Sequence, residues 1–345
     1  METDPTVLET LWARADEVRR THVGDDVHLR GLIEISNHCV RQCLYCGIRG
    51  CAQDVTRYRM TGAEILACAR EAATLGYGTV VLQSGEDPGL SVELIAGVIR
   101  RIKADTGLAV TLSLGERDDD ELRDWKAAGA DRYLLRFETT DPDLYRRIHP
   151  NLPGTTSDRI AQLERMRVMG YEIGTGVMVG IPGQTWDTLV SDIWTFRDHD
   201  MDMIGVGPFL PSPRTPLGGP MAGHYMAAAG AQVPNDELTT LKVVAVTRLV
   251  CPDANLPSTT ALATIDPQRG RELGLTRGAN IVMPNVTPPQ YRVLYEIYPG
   301  KACIHETAQV CHACMEGRIA SIGRRIGTGP GGRRDHTASH EALEL

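Results

Sequence analysis

No apolar run in these 345 residues reaches the length of a membrane-spanning helix. Positive charge is not in excess either. Against 44 Asp and Glu stand 36 Lys and Arg, for a formal net charge of −8 and a pI near 5.7. Such a chain has no general electrostatic pull toward nucleic acid or an anionic membrane. The first residues, "METDPTVLETLWARADEVRRTH", lack a basic segment followed by an apolar stretch, so they read as an amphipathic helix and not as a signal peptide. No internal repeat is present. The expectation is a cytoplasmic protein with ordinary enzyme-like composition, 42% hydrophobic and 23% charged. In that compartment nine cysteines are not a disulfide framework, and clustered ones read as metal or redox ligands.

Short apolar runs alternate with helical patterns. Eight strands are expected, at 29–36, 79–85, 109–115, 131–138, 172–180, 203–210, 254–264 and 279–286. Between them, "GAEILACAREAATLG" places Ile65, Leu66, Ala69, Ala72 and Ala73 on one helical face, with Thr61 and Glu64 as a capping box and Gly76 as its end. Eight βα units with right-handed crossovers predict an α/β fold, a (β/α)₈ TIM-type barrel with its chemistry at the C-terminal ends of the strands. The expected divisions are an N-terminal helical extension (1–28), the barrel (29–300), a C-terminal segment (301–326) and a mobile tail (327–345). Residues 211–235, rich in Pro, Gly and Ala, read as a long loop over the barrel mouth.

The stretch "SNHCVRQCLYCGIRGCAQ" (36–53) follows the first strand and spaces Cys39, Cys43 and Cys46 as CxxxCxxC, with Cys51 beyond. Thiolates that converge in this way suit an iron–sulfur cluster. Structural zinc is the competing reading, with His38 or Cys51 as fourth ligand. After the second strand comes Ser84-Gly85-Glu86. "RFET", at the end of the fourth, puts Arg136 and Glu138 two residues apart and so on one side of a strand.

These elements resemble the radical S-adenosylmethionine (SAM) superfamily. Tyr45 is the aromatic before the last cysteine, and "SGE" stands for that family's GGE-like turn. "RGLIEISNHCVRQCLYCGIR", "RFETTDPDLYRRIHP", "GVGPFLPSPRTPLGG" and "YRVLYEIYPGKAC", in order along nearly the whole chain, are similar to the HydE maturases of [FeFe]-hydrogenase. The resemblance implies a 4Fe–4S cluster on Cys39, Cys43 and Cys46 with one iron left for SAM. It implies reductive cleavage of SAM to methionine and a 5′-deoxyadenosyl radical. Tyr45, Ser84, Gly85, Glu86, Glu138 and Arg159 would hold SAM; Arg136, Thr259 and Thr260 would form an anion-binding part of the cavity; Tyr295 and Tyr298 would approach the substrate. Arg136 joins the three cysteines as a catalytic candidate. Two adjacent threonines on a strand imply a bulge at 258–260, and the tyrosine spacing implies a shared helical face. The implied partners are a small-molecule or organometallic substrate, an electron donor such as ferredoxin or flavodoxin, and companion hydrogenase maturases, with the protein a monomer or weak dimer.

Nearer the C-terminus Cys303, Cys311 and Cys314 match an accessory iron–sulfur site of some HydE proteins, with His305 or His312 as a further ligand. Zinc and unmetallated thiols are the alternatives, and a second cluster there would be peripheral. Cys68 and Cys251 lie in helical patterns and read as buried apolar residues. Phe137 departs from the family, where His is common. Rival readings are a 3-methylornithine synthase-like enzyme acting on a small amino-acid-type substrate, and an iron–sulfur carrier or electron-transfer protein.

Overall fold

The computed structural model describes residues 3–333. Asp4 caps α1 (Pro5–Val23), accepting the Thr6 N–H at 2.8 Å, with proline in the first turn. Next come β1 (His28–Ser36), α2 (Gly62–Thr74), β2 (Thr79–Ser84), α3 (Val92–Thr106), β3 (Ala109–Ser113), α4 (Asp119–Ala127) and β4 (Arg132–Leu134). Two helices, α5 (Pro142–Ile148) and α6 (Arg159–Val168), precede β5 (Glu172–Val179), α7 (Trp186–Asp198), β6 (Met203–Pro208) and α8 (Glu237–Val250). Then follow α9 (Thr260–Ile265), α10 (Gly270–Leu275), β7 (Ile281–Val282), α11 (Pro289–Arg292) and α12 (Ala308–Ser321). The capping box at α2 forms as the sequence predicts, and Cys68 and Cys251 are buried in the core. Among the described residues no helix is long and apolar enough to cross a membrane.

The strands run parallel in the order β6-β5-β4-β3-β2-β1-β7. The ring closes through residues 254–257. Asn255 bridges Met203 and Pro257 bridges Ile281; the Ile204 N–H reaches Asn255 O at 2.9 Å and the Ser258 N–H reaches Ile281 O at 2.9 Å. The eighth barrel position is thus occupied, but not by the strand expected over 254–264. Pro257 has no N–H for a ladder. Thr259 then caps α9, accepting the Leu262 N–H at 3.3 Å. The paired threonines mark a helix start in place of the expected bulge. Tyr295 and Tyr298 likewise lie beyond α11, in irregular chain, and not on one helical face.

Residues 327–333, expected to belong to a mobile tail, pack across the N-terminal end of the barrel. The Thr79 hydroxyl donates to Pro330 O at 2.9 Å; Arg30 and Asn255 donate to Gly331 O at 3.0 and 3.2 Å. Arg333 pairs with Asp200 and Asp253. The approach is so close that a Cβ on Gly78 would stand 1.6 Å from Gly329 O. The rest of that tail lies outside the described residues. At the other end of the barrel the loop 211–235 packs against the cysteine loop. Its Leu217 and Tyr225 pack with Leu44 and Tyr45, and the Leu217 N–H donates to Leu44 O at 3.1 Å.

Candidate functional site

Residues 37–61 leave the C-terminal end of β1 as an irregular loop. Two side chains hold it. Asn37 Nδ2 donates to Thr56 O and Leu294 O, both at 2.8 Å. The Arg57 guanidinium donates to the carbonyls of Asn37, Ile48 and Arg49 at 2.5, 2.7 and 2.7 Å. Arg57 carried no motif; its role comes from three carbonyls that only the folded loop brings together. Two glycines let backbone approach the loop. A Cβ on Gly47 would meet Glu296 O at 2.3 Å, and one on Gly85 would meet His38 O at 2.2 Å.

Cys43 is buried, Cys39 and Cys46 are half-buried and Cys51 is exposed. Burial pushes the Cys43 thiol up to about 12, with Arg159 opposing and Cys39 adding to the rise. Cys46 is raised by burial and then by Cys43 and Cys39. Cys39 is raised by burial, against backbone N–H donation from Arg41 and Glu86. The three thiols therefore lie within one another's fields, in a place where thiolates need a bound cationic centre. Among the described residues no three His, Cys, Asp or Glu side chains converge as one metal ion requires. A cluster asks for looser grouping, because each thiolate binds its own iron. The donor set fits the cluster.

Tyr45 and Cys46 line a cavity of about 280 Å³ that also touches Arg136, Glu138, Thr259, Thr260 and Tyr298, and reaches down to Arg30. Arg136 donates to Glu138 at 2.9 and 3.0 Å, to Val177 O at 2.7 Å and to Gly205 O at 3.2 Å. Burial works against its charge, but the Glu138 carboxylate more than offsets this and raises its pKa. A Cβ on Gly176 or Gly205 would lie 3.0 Å from Arg136 Nη1, so the two glycines open the wall for this guanidinium. The pair sits just past β4, and Glu138 has a φ of 62°. That left-handed conformation is strained for a non-glycine residue. Behind it the Thr140 N–H and hydroxyl donate to Asp192 at 2.6 and 2.7 Å. Burial pushes the Asp192 carboxyl up to about 6, and its Oδ2 has no partner.

Arg159, the first residue of α6, donates to Glu116 at 2.9 Å and to Arg136 O at 2.6 Å and contacts His149 Nε2 at 2.6 Å. Its charge reaches Tyr45 as well as Cys43. The Ser84 hydroxyl donates to Gly85 O at 2.6 Å. Glu86 takes Arg41 at 2.6 Å and the Glu116 N–H at 3.0 Å, which ties the cysteine loop to the ends of β2 and β3. Tyr298 reaches the cavity. Tyr295 is buried, 3.4 Å from Gln83 Nε2. Phe137 stacks on Phe196 in the core at 5.5 Å.

In the second group the structure brings together two cysteines of three. Both are free thiols; the Cys311 thiol hydrogen-bonds to the Cys303 sulfur and, with Arg271, holds the Cys303 thiol low. Cys314 is exposed on α12 and bonds Arg318. Cys311 lies near Tyr77, at the entry to β2 and so at the opposite end of that strand from the cysteine loop. His312 packs on the Tyr77 ring at 5.5 Å.

The Radical SAM superfamily profile matches residues 33–193. The chain is 47% identical to the [FeFe] hydrogenase maturase subunit HydE of Thermotoga maritima, over 94% of this chain and 89% of that one. It is 30% identical to 3-methylornithine synthase of Methanosarcina barkeri, over 82% of this chain and 75% of the other. The crystal structure of methylornithine synthase (PylB) superposes with a TM-score of 0.79 at 25% identity, covering 98% and 93% of the two chains. HydG from Carboxydothermus hydrogenoformans shares the fold, with a TM-score of 0.75 at 19% identity over 93% of this chain and 72% of its own.

Proposed function

The chain belongs to the HydE family of radical SAM enzymes, and from that premise we propose that it is a maturase acting in assembly of the two-iron centre of [FeFe]-hydrogenase. Enzymes of this superfamily use a 4Fe–4S cluster and SAM, and the bound pair supplies a 5′-deoxyadenosyl radical on one-electron reduction. Cys39, Cys43 and Cys46 would hold the cluster. Tyr45, Glu138 and Arg159, with the Ser84–Glu86 turn, would hold SAM. Arg136, Thr259, Thr260 and Tyr298 would face the substrate. What carries the reading is that Tyr45 and Cys46 open onto the same cavity as Arg136 and Tyr298. A reactive species made at the loop would meet substrate in that shared space. The chain's own part is to orient and to exclude: the loop 211–235 packs on Leu44 and Tyr45, and the segment 327–333 closes the opposite end of the barrel.

Substrate class and partners follow from the same reading. They are a small amino-acid-type or organometallic molecule, a ferredoxin- or flavodoxin-like electron donor and companion maturases, in the cytoplasm. A peripheral second metal site would be built on Cys303 and Cys311, with Cys314 leaving Arg318 to join them. A 3-methylornithine synthase-like activity is less well supported, since identity to that enzyme is 30% against 47% to HydE. The deciding experiment is maturation of apo-hydrogenase in vitro with this protein as the only HydE component. Active hydrogenase is expected. None, with SAM cleavage intact, would move the protein to another substrate.

A further inference from the structure

On the β1 side of the cavity stands a second ion pair. Glu34 and Lys301 both line the cavity, at 1% and 6% exposure. The Lys301 ammonium donates to Glu34 Oε1, and Asn285 Nδ2 donates to Glu34 Oε2 at 2.9 Å. Both carboxylate oxygens are therefore engaged. The ammonium is not fully used. It reaches Tyr295 O at 3.4 Å and lies 5.2 Å from the centre of the Tyr295 ring. That leaves one of its three N–H groups without a protein acceptor among the described residues. Arg136, by contrast, is committed to Glu138 and two carbonyls. Arg30 also keeps a buried unpartnered Nε, but it stands four residues earlier on β1, roughly 13 Å down the barrel. Lys301 is on the reactive side, since the Tyr295 that it touches lies within the fields of Cys46 and Cys39.

We propose that Lys301, aimed by its contact with Glu34, binds the carboxylate of an amino-acid-type substrate in the cavity. A buried ion pair rarely adds stability; one that faces a cavity with a spare donor fits an anionic ligand. An ammonium donates only, so the group that completes it is an acceptor. Of the residues lining the cavity, Leu32 and Ile281 offer none from their side chains. The assignment rests on the proposed substrate class, and its test is separable from that of the maturase activity.

The holoenzyme, reconstituted anaerobically with SAM, is titrated with L-cysteine and with cysteamine, which lacks only the carboxylate. Wild type is expected to bind L-cysteine at least tenfold more tightly. Lys301→Met should erase the preference and Lys301→Arg should keep it to within about threefold, with iron content and melting temperature as checks of the fold. If Lys301→Met does not keep its cluster, Lys301→Gln decides in its place, by losing the preference or by keeping it. A preference unchanged in the Met or Gln variant, or absent in wild type, overturns the assignment. Wild type that discriminates the carboxylate but does not mature hydrogenase leaves Lys301 in place and removes the maturase reading. Maturation without discrimination does the reverse.

Discussion

Three thiols that must lose their protons to bind iron sit where burial favours the protonated form, with Cys43 pushed up to about 12. Protein contacts hold the loop that carries them, and Arg57 makes several of these. Arg57→Met keeps the aliphatic stem and removes the donors to three carbonyls. It is expected to cost roughly 2 kcal/mol, and to speed loss of iron to a chelator several-fold, followed by iron(II) release. Asp192 makes a sharper test. Its folded pKa, about 6, stands above the ordinary value near 3.8, so its ionisation opposes folding: the penalty is absent below about pH 4, grows between about 4 and 6, and is complete above. Its Oδ1 takes the Thr140 donors and Oδ2 has no partner, so an amide loses little there. Asp192→Asn should be more stable than wild type at pH 8, by roughly 1–3 kcal/mol. The gap should shrink toward pH 4.5, as urea unfolding would report. A gap that widens on acidification would contradict the assignment.

At the scale of elements, most of the site was legible because each strand end is followed by its own chemical marker. Cys39 to Cys46 follow β1, Ser84 ends β2, and Arg136 and Glu138 follow β4. What was not legible depends on contacts from other elements. Thr259 and Thr260 carry strand-like branched side chains, yet Thr259 caps a helix. The tyrosines at 295 and 298 have helical spacing, yet α11 ends at Arg292. The glycine-rich stretch from Gly327 looks mobile in isolation, but the N-terminal end of the barrel supplies donors for its carbonyls. Lys301 and Glu34 are 267 residues apart, so no local pattern could join them. Glycines show the same contrast. Gly47→Ala forces a Cβ to within 2.3 Å of a backbone oxygen beside the cysteine loop and should destabilise the fold by roughly 1–3 kcal/mol. Gly97→Ala, inside α3 with nothing within 4 Å, should stabilise it by about 0.5–1 kcal/mol. Paired denaturation curves test both, and equal effects would refute the close approach at Gly47.

The whole molecule is a closed barrel with the cysteine loop at one end and a C-terminal segment across the other. A cavity between them brings Tyr45 and Cys46 together with two ion pairs, Arg136–Glu138 and Lys301–Glu34. That arrangement suits an enzyme that makes a radical beside a small-molecule site. It is more than an electron carrier needs, since electron transfer requires neither an internal cavity nor charged groups set to hold a small molecule. The central claim is SAM cleavage at the cysteine loop. It is tested by anaerobic reconstitution, reduction with dithionite, addition of SAM and quantification of products. Wild type should form 5′-deoxyadenosine and methionine in equal amounts, and Cys43→Ala should form neither. Wild type that holds an intact cluster and yields neither product would contradict the account.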